Sequence, residues 1–317
     1  MLPKATDGIL GKIAAVVEHA VAERAMHGTP AGARGTTLAT GNGWRVADVI
    51  CTSGPADRRF EEEHSLMSVG IVLSGTFQHR SPMGDEMLTP GAFLLGNAGQ
   101  CFECGHEHAV GDRCVAFQYE PELFEQLPAD AGLRGFRSSR IPPTRESSSL
   151  VARVSAALVG EMDASWEELA FETAATALKL SRGDTRRSAP PSRAAMARVT
   201  DGIREIERDP TAALTLACLA GDAGQSVFQY LRTFRSITGV TPHQFILRAR
   251  LRYAAARLAT EESRVLQIAL DAGFGDLSNF NRAFRREFGV VPRTYRHGRG
   301  ARLSGRTSPP TRDLGCY

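Results

Sequence analysis
Apolar and polar positions follow two different rhythms along this chain. Between residues 44 and 119 the apolar positions fall in short runs, many of them β-branched or aromatic. The runs at 44–51, 67–73, 76–80, 92–95 and 113–119 predict strands. Gly75, the Pro82-Met83-Gly84-Asp85 sequence and Pro90-Gly91 punctuate them. Many short strands broken in this way argue for a small sandwich or barrel. Residues 27–40, rich in Gly, Ala and Thr, read as a loop. On both sides of the strand region the rhythm is helical. Ile9, Ile13, Val16, Val17 and Ala20 make an amphipathic stripe over 6–24. A short helix is expected over 122–127, and longer ones over 147–162 and 165–181, with Leu150, Val154, Ala157 and Leu158 on one face. That helix pair suits either of two tasks, joining two chains or packing back on its own strand domain.

Residues 183–193, GDTRRSAPPSR, break the pattern with Pro, Ser and charge, as a linker does. Beyond them a helix is expected over 194–208, and the chain then repeats itself. YLRTFRSITGVTP at 230–242 returns as FNRAFRREFGVVP at 280–292. Two copies are too few for a solenoid and suit a tandem reader. Each copy has the parts of a helix-turn-helix. Leu216, Leu219 and Ala220 precede a turn at Gly224 and an N-cap at Ser226; Ile268, Ala269 and Ala272 precede a turn at Gly273 and an N-cap at Asp276. Tyr230 and Phe234 are four apart, as are Phe280 and Phe284, so each pair faces a core. The positions left for DNA are Ser226, Phe228, Leu231, Arg232 and Arg235 in the first copy, and Ser278, Asn279, Arg282 and Arg285 in the second. Gly239 and Gly289, each with a proline three residues on, stop these helices. A long helix over 242–259, with Leu247, Leu251, Ala254 and Leu258 as its buried stripe, joins the two copies.

Charge sharpens this picture. The net charge is only +3, but from Pro190 onward there are 20 arginines, no lysine and 11 acidic residues. That part carries +9 and leaves −6 for the rest, which suits a chain that meets nucleic acid with one end. The 6–24 stripe also carries Asp7, Lys12, Glu18, Glu23 and Arg24, so it reads neither as a signal peptide nor as a membrane span. The six cysteines are therefore expected to be reduced, and the chain cytoplasmic. No Ser-His-Asp set, P-loop or dinucleotide fingerprint is present, which argues against an enzyme.

The reader region resembles the AraC/XylS family of bacterial transcription regulators. The resemblance rests on A-G-x-S-x-x-x-[FY]-x-R-x-F-[RK] in the first copy, G-F-x-D-x-S-x-F-x-R-x-F-[RK] in the second, and the closing P-x-x-Y-R at 292–296. Gly275 and Val291 stand where the family often has Ser. The resemblance implies an α+β multidomain protein: a cupin-like β-barrel with flanking helices, then an all-α domain of two helix-turn-helix units. L-x-P-G-x-x-L-L at 88–95 looks like part of such a barrel. The expected division is an effector-binding and oligomerisation domain over 1–183, a linker over 184–193, a DNA-binding domain over 194–298 and a disordered tail over 299–317. The implied partners are promoter DNA, a small-molecule or metal effector, RNA polymerase for an activator, and a second copy in a homodimer. The alternative is a metal-dependent cupin enzyme or an alkylation-repair protein carrying the same reading module.

One stretch carries concentrated chemistry. CFECGHEHAVGDRC at 101–114 holds three of the six cysteines and two of the eight histidines. Cys101, Cys104, His106, His108 and Cys114 are candidate ligands for a metal such as zinc. If 104–108 is extended, Cys104, His106 and His108 share one face. Three readings stand: a sensor of metal or thiol-reactive compounds, a structural zinc, or cysteines that simply pack. Cys51 and Cys218 are expected to be packing residues.

Overall fold
The computed structural model describes residues 9–126, 135–160, 165–181 and 191–296. Most of the expected linker, and the whole of the expected tail over 299–317, lie outside the described residues. The fold is α+β, sheet-rich in its N-terminal region and helical in its C-terminal region. Among the described residues no helix is long and apolar enough to cross a membrane.

The N-terminal region begins with α1 (Ile9–His27), β1 (Ala33–Gly41), β2 (Trp44–Cys51), β3 (Phe60–His64), β4 (Met67–Gly75) and β5 (Phe77–Ser81). β6 (Gly84–Leu88), β7 (Phe93–Gly96), β8 (Gln100–Gly105) and β9 (Asp112–Tyr119) follow. It closes with α2 (Pro121–Gln126), β10 (Arg140–Ile141), α3 (Arg145–Leu158) and α4 (Trp166–Ser181). Two antiparallel sheets result, one in the order β1-β2-β9-β4-β7-β10 and one in the order β3-β8-β5-β6. The expected barrel is thus two packed sheets, and no closed barrel is found among the described residues.

The inner part of the larger sheet is buried on both faces, which explains the continuous burial of Met67–Leu73 in β4. Val69, Ile71 and Leu73 point one way, into a core shared with α1, α3 and α4. Val72 and Cys114 point the other way and meet Phe77, Leu88 and Cys104 of the smaller sheet. The expected loop over 27–40 contains β1, an edge strand whose exposed faces give no apolar alternation. β3, β6, β8 and the two-residue β10 also fall where no strand is expected. β3 and β6 are edges of the smaller sheet, where charged residues such as Glu61–Glu63 are tolerated, while β8 is an inner strand of it.

Three rings fill one part of the space between the sheets. Phe102 stacks on His64 with centroids 4.2 Å apart and on His79 at 5.3 Å. Burial pushes His64 down to about 4 and His79 down to about 3, and the neighbouring His64 adds to the second shift.

The C-terminal region contains α5 (Arg193–Arg208), α6 (Leu216–Asp222), α7 (Val227–Thr238), α8 (Pro242–Thr260), α9 (Val265–Asp271) and α10 (Leu277–Phe288). It has two cores. Tyr230, Phe234, Phe245 and Ile203 anchor one, and Phe280, Phe284, Ile268 and Leu258 the other. Helix α8 contributes to both. The two regions are packed together rather than strung apart. Ala256 of α8 enters the N-terminal core, and Met87 of β6 enters the first reader core. Gly239, at the end of α7, sits against Pro142.

Gly239 and Gly289 end α7 and α10 in the same left-handed conformation, with φ of 81° and 77°. Alanine at either position takes on that strain, about 1–2 kcal/mol. A Cβ at Gly289 meets nothing, whereas one at Gly239 falls 2.6 Å from Pro142 Cβ. Gly239→Ala is therefore expected to cost about 1–3 kcal/mol more than Gly289→Ala in denaturant unfolding of the full chain. Equal losses would show that the Pro142 contact does not hold in solution. The buried histidines give a second expectation. Their folded values lie below the unfolded value of about 6.5, so they have no effect on stability above that pH. As pH falls from about 6.5 toward 4 and 3, the unfolded chain takes up protons that the folded chain refuses, and stability drops by up to about 1.4 kcal/mol per unit for each histidine. Unfolding curves at pH 7, 6 and 5 should show this slope, and His79→Phe should reduce it.

Candidate functional site
Each reader unit presents one helix through the same local devices. Gln225 N donates to Ala220 O at 2.9 Å in the first turn, and Phe274 N to Ala269 O at 3.0 Å in the second. Gly224 and Gly273 adopt φ of 60° and 79°, which lets the chain reverse within those turns. Ser226 and Gln229 form a capping box at the start of α7, and Asp276 caps α10 through Asn279 N at 2.7 Å. Tyr230 and Phe234 are fully buried with rings 5.8 Å apart; Phe280 and Phe284 match them at 5.4 Å. The buried ring pairs fix which side of each helix turns outward.

That outward side carries Phe228, 78% exposed, with Arg232 and Arg235 on α7. On α10 it carries Ser278, Asn279, Arg282 and Arg285, all exposed. Leu231 is half-buried, and Ser226, although exposed, spends its hydroxyl on the cap. Some arginines of this region are tied down and others, those of the outward helix faces among them, are not. Arg248, Arg250, Arg252, Arg257 and Arg296 are tied to carboxylates or backbone carbonyls. Arg232, Arg235, Arg282 and Arg285 have no ion pair or side-chain hydrogen bond among the described residues. Guanidinium groups that stay exposed and unpaired on capped, rigid helices are available to a nucleic acid.

The cysteine-histidine stretch does not come together as its sequence spacing suggests. β8 stops at Gly105, so the alternation does not continue through His108. Within β8, Cys104 points inward with Phe102, while Cys101 points outward with Glu103. Cys101 is exposed, its Sγ 4.0 Å from Glu63 Oε2. His108 lies with Nε2 3.9 Å from Glu107 Oε2, and its carbonyl accepts from Arg204 of α5. Glu107 binds Arg59, which holds its carboxyl below the usual range, and also approaches Arg193.

Three of the five candidates do turn inward: Cys104, His106 and Cys114. Two residues outside the candidate set join them. Asp112 Oδ1 pairs with His106 Nε2 at 2.7 Å, and Cys114 Sγ donates to Asp112 Oδ2 at 3.3 Å. Cys51, expected only to pack, has its sulfur within 4.8 Å of donor atoms of both His106 and Asp112. Burial and then the Asp112 carboxylate push the Cys51 thiol up to about 11. Burial also raises Cys104 and Cys114. No local spacing signals Cys51, because the pairing of β2 with β9 is what sets it opposite Asp112.

Residues 219–298 match the family model of a helix-turn-helix domain. The regulatory protein SoxS of Salmonella typhimurium is 38% identical over 84 residues, which are 26% of this chain and 78% of that protein. The HTH-type transcriptional activator RhaS of Escherichia fergusonii is 35% identical over 107 residues, 34% of this chain but 38% of that protein. A solved structure of ToxT from Vibrio cholerae aligns over 80% of this chain and 98% of its own at 14% identity, with a TM-score of 0.34. The family model falls on the repeated, capped helices described above, the agreement with SoxS extends over most of that protein, and this chain belongs to the AraC/XylS family of transcription regulators.

Proposed function
We propose that α7 and α10 read promoter DNA together, and that the N-terminal region controls their arrangement in response to an effector. The reading is carried by Arg232 and Arg282, unpartnered guanidinium groups at matching turns of two capped helices. Arginine so presented suits bidentate pairing with guanine or a clamp on phosphate. Phe228, Leu231 and Arg235, with Ser226 at the cap, complete the proposed face of α7, and Ser278, Asn279 and Arg285 that of α10. Two such helices fixed to one rigid helix suit successive major grooves, about 34 Å apart. The excess of arginine after Pro190 supports the same reading. In this division residues 1–183 form the effector and oligomerisation domain and 194–298 form the reader, with a linker over 184–193.

A single segment supports the proposed control. Residues 140–148 run from β10 into α3 and touch the C-terminal ends of both reading helices. Arg140 Nη1 donates to Ile237 O of α7 at 2.8 Å, and Gly239 abuts Pro142. Glu287 of α10 accepts from Ser148 Oγ and from Arg248 Nε, while Arg248 Nη1 also holds Pro143 O at 2.9 Å. An effector that binds two positions of this segment unequally shifts the relation of the two helices; one that binds them equally shifts nothing.

Arg232→Ala and Arg282→Ala are each expected to weaken binding to a selected promoter fragment by about 1–3 kcal/mol. Titration against that fragment and a random duplex separates the cases. Equal loss on both assigns phosphate contact, and no loss on either removes these helices from the interface. Arg140→Ala touches no proposed DNA residue, yet it releases the end of α7. It should reduce the preference for half-sites one helical turn apart over half-sites with three extra base pairs, measured in the same titration. An unchanged preference would mean that residues 140–148 do not set the helix arrangement.

A further inference from the structure
One end of the inter-sheet space holds chemistry that DNA reading does not use. Cys51 is the last residue of β2 and lies directly opposite Asp112, the first residue of β9. His106 is the first residue after β8. Three strand ends therefore meet there, and the sulfur, a ring nitrogen and a carboxylate oxygen of these residues lie within 4.8 Å of one another. All three residues are buried, at 3%, 4% and 5% exposure. Cys114 lies two residues along β9 from Asp112, on the same face, with its sulfur 3.3 Å from Asp112 Oδ2. His106 Nδ1 is buried and has no hydrogen-bond partner.

Packing alone does not account for this set. Cysteine fills a core as a small apolar group, but a buried carboxylate beside two thiols and an imidazole costs several kcal/mol in desolvation that Val or Ala would avoid. The donor atoms instead define a ligand class. Two sulfurs, one nitrogen and one oxygen suit a borderline-soft divalent cation in tetrahedral geometry. Calcium and magnesium demand six or more oxygens, or several waters.

We propose that Cys51, His106 and Asp112, with Cys114 as fourth donor, form a buried tetrahedral site for a thiophilic divalent cation of the zinc class. Each thiol releases its proton to solvent as its sulfur binds the cation, and nothing is oxidised. Cys101 and His108, for all their closeness in sequence, lie outside the site. The loop that joins two of the ligands, 107–111, is the one that Arg193 and Arg204 of α5 hold, so the site stands beside the reader. The binding claim goes beyond the DNA-reading function and does not depend on it.

The test uses the full chain, reduced and stripped with a chelator, titrated with Co(II) and then Zn(II). One Co(II) per chain is expected, with the d–d absorption of a tetrahedral ion and a thiolate-to-cobalt charge-transfer band of two-thiolate intensity. Zn(II) should displace it. Cys51→Ser and His106→Gln should lower Zn(II) affinity by more than the ~10–100-fold typical of outer-shell partners, while Cys101→Ser and His108→Ala bind as the parent chain does. The parent spectrum decides the matter even where a ligand variant fails to fold. Absence of a thiolate band in the parent chain, or an octahedral spectrum, overturns the site. Loss of the band in Cys101→Ser or His108→Ala overturns the ligand assignment. Footprinting on the same samples reports on DNA reading separately.

Discussion
Between its first turn and its last residue helix α8 has no exposed position, and the arrangement of the rest follows from that. Phe245, Ile246 and Ala249 enter the core of the first reader unit. Leu251, Ala254, Ala255 and Leu258 enter that of the second. Ala256 enters the N-terminal core alongside α1 and α3. The small side chains from Ala254 to Ala256 let neighbours on several sides approach closely. A helix enclosed in this way cannot leave its charges unpaired. Arg252 reaches Glu207, Arg257 reaches Asp271 and Glu261, and Arg250 donates to carbonyls of Pro210, Ala212 and Gly273. Every turn of α8 is thereby tied to a different part of the molecule.

This explains why one basic region holds arginines of two kinds. Those on α8 are consumed by architecture. Those on the outer sides of α7 and α10 face away from it, past the buried ring pairs that anchor these helices to their cores. The reading helices are thus positioned at their inner faces by α8 and at their C-terminal ends by residues 140–148. A change in the N-terminal region has a short physical path to both, through Glu287 and the carbonyl of Ile237.

The N-terminal region shows how two-sided burial changes what a sheet can carry. Its larger sheet gives one face to helices and the other to a second sheet, so polar groups between the sheets are cut off from water. There the histidines are driven neutral by desolvation, and the Cys51 thiol, the His106 imidazole and the Asp112 carboxylate meet at the strand ends.

Much of the reader was determined by local sequence. The caps, turn glycines, ring pairs at four-residue spacing and stop signals are interactions within a few residues, so the chain states them directly: Ser226, Gly224, Tyr230 with Phe234, Gly239. Strands with one apolar rhythm, such as Met67–Gly75, were equally legible. Edge strands were not, because β1, β3 and β6 take their form from a neighbour's backbone rather than from their own apolar pattern, and neither was β8, an inner strand whose sequence Gln100–Gly105 carries no apolar run. The cluster was decided at the same level. Sequence spacing grouped Cys101 and His108 with their neighbours, but strand alternation sends Cys101 outward and the end of β8 at Gly105 breaks the phase for His108. Pairing across 61 residues brings in Cys51 instead. Which arginines remain unpaired was likewise decided only by tertiary structure, since folding supplies Arg252 and Arg257 with carboxylates and supplies Arg232 and Arg282 with none among the described residues.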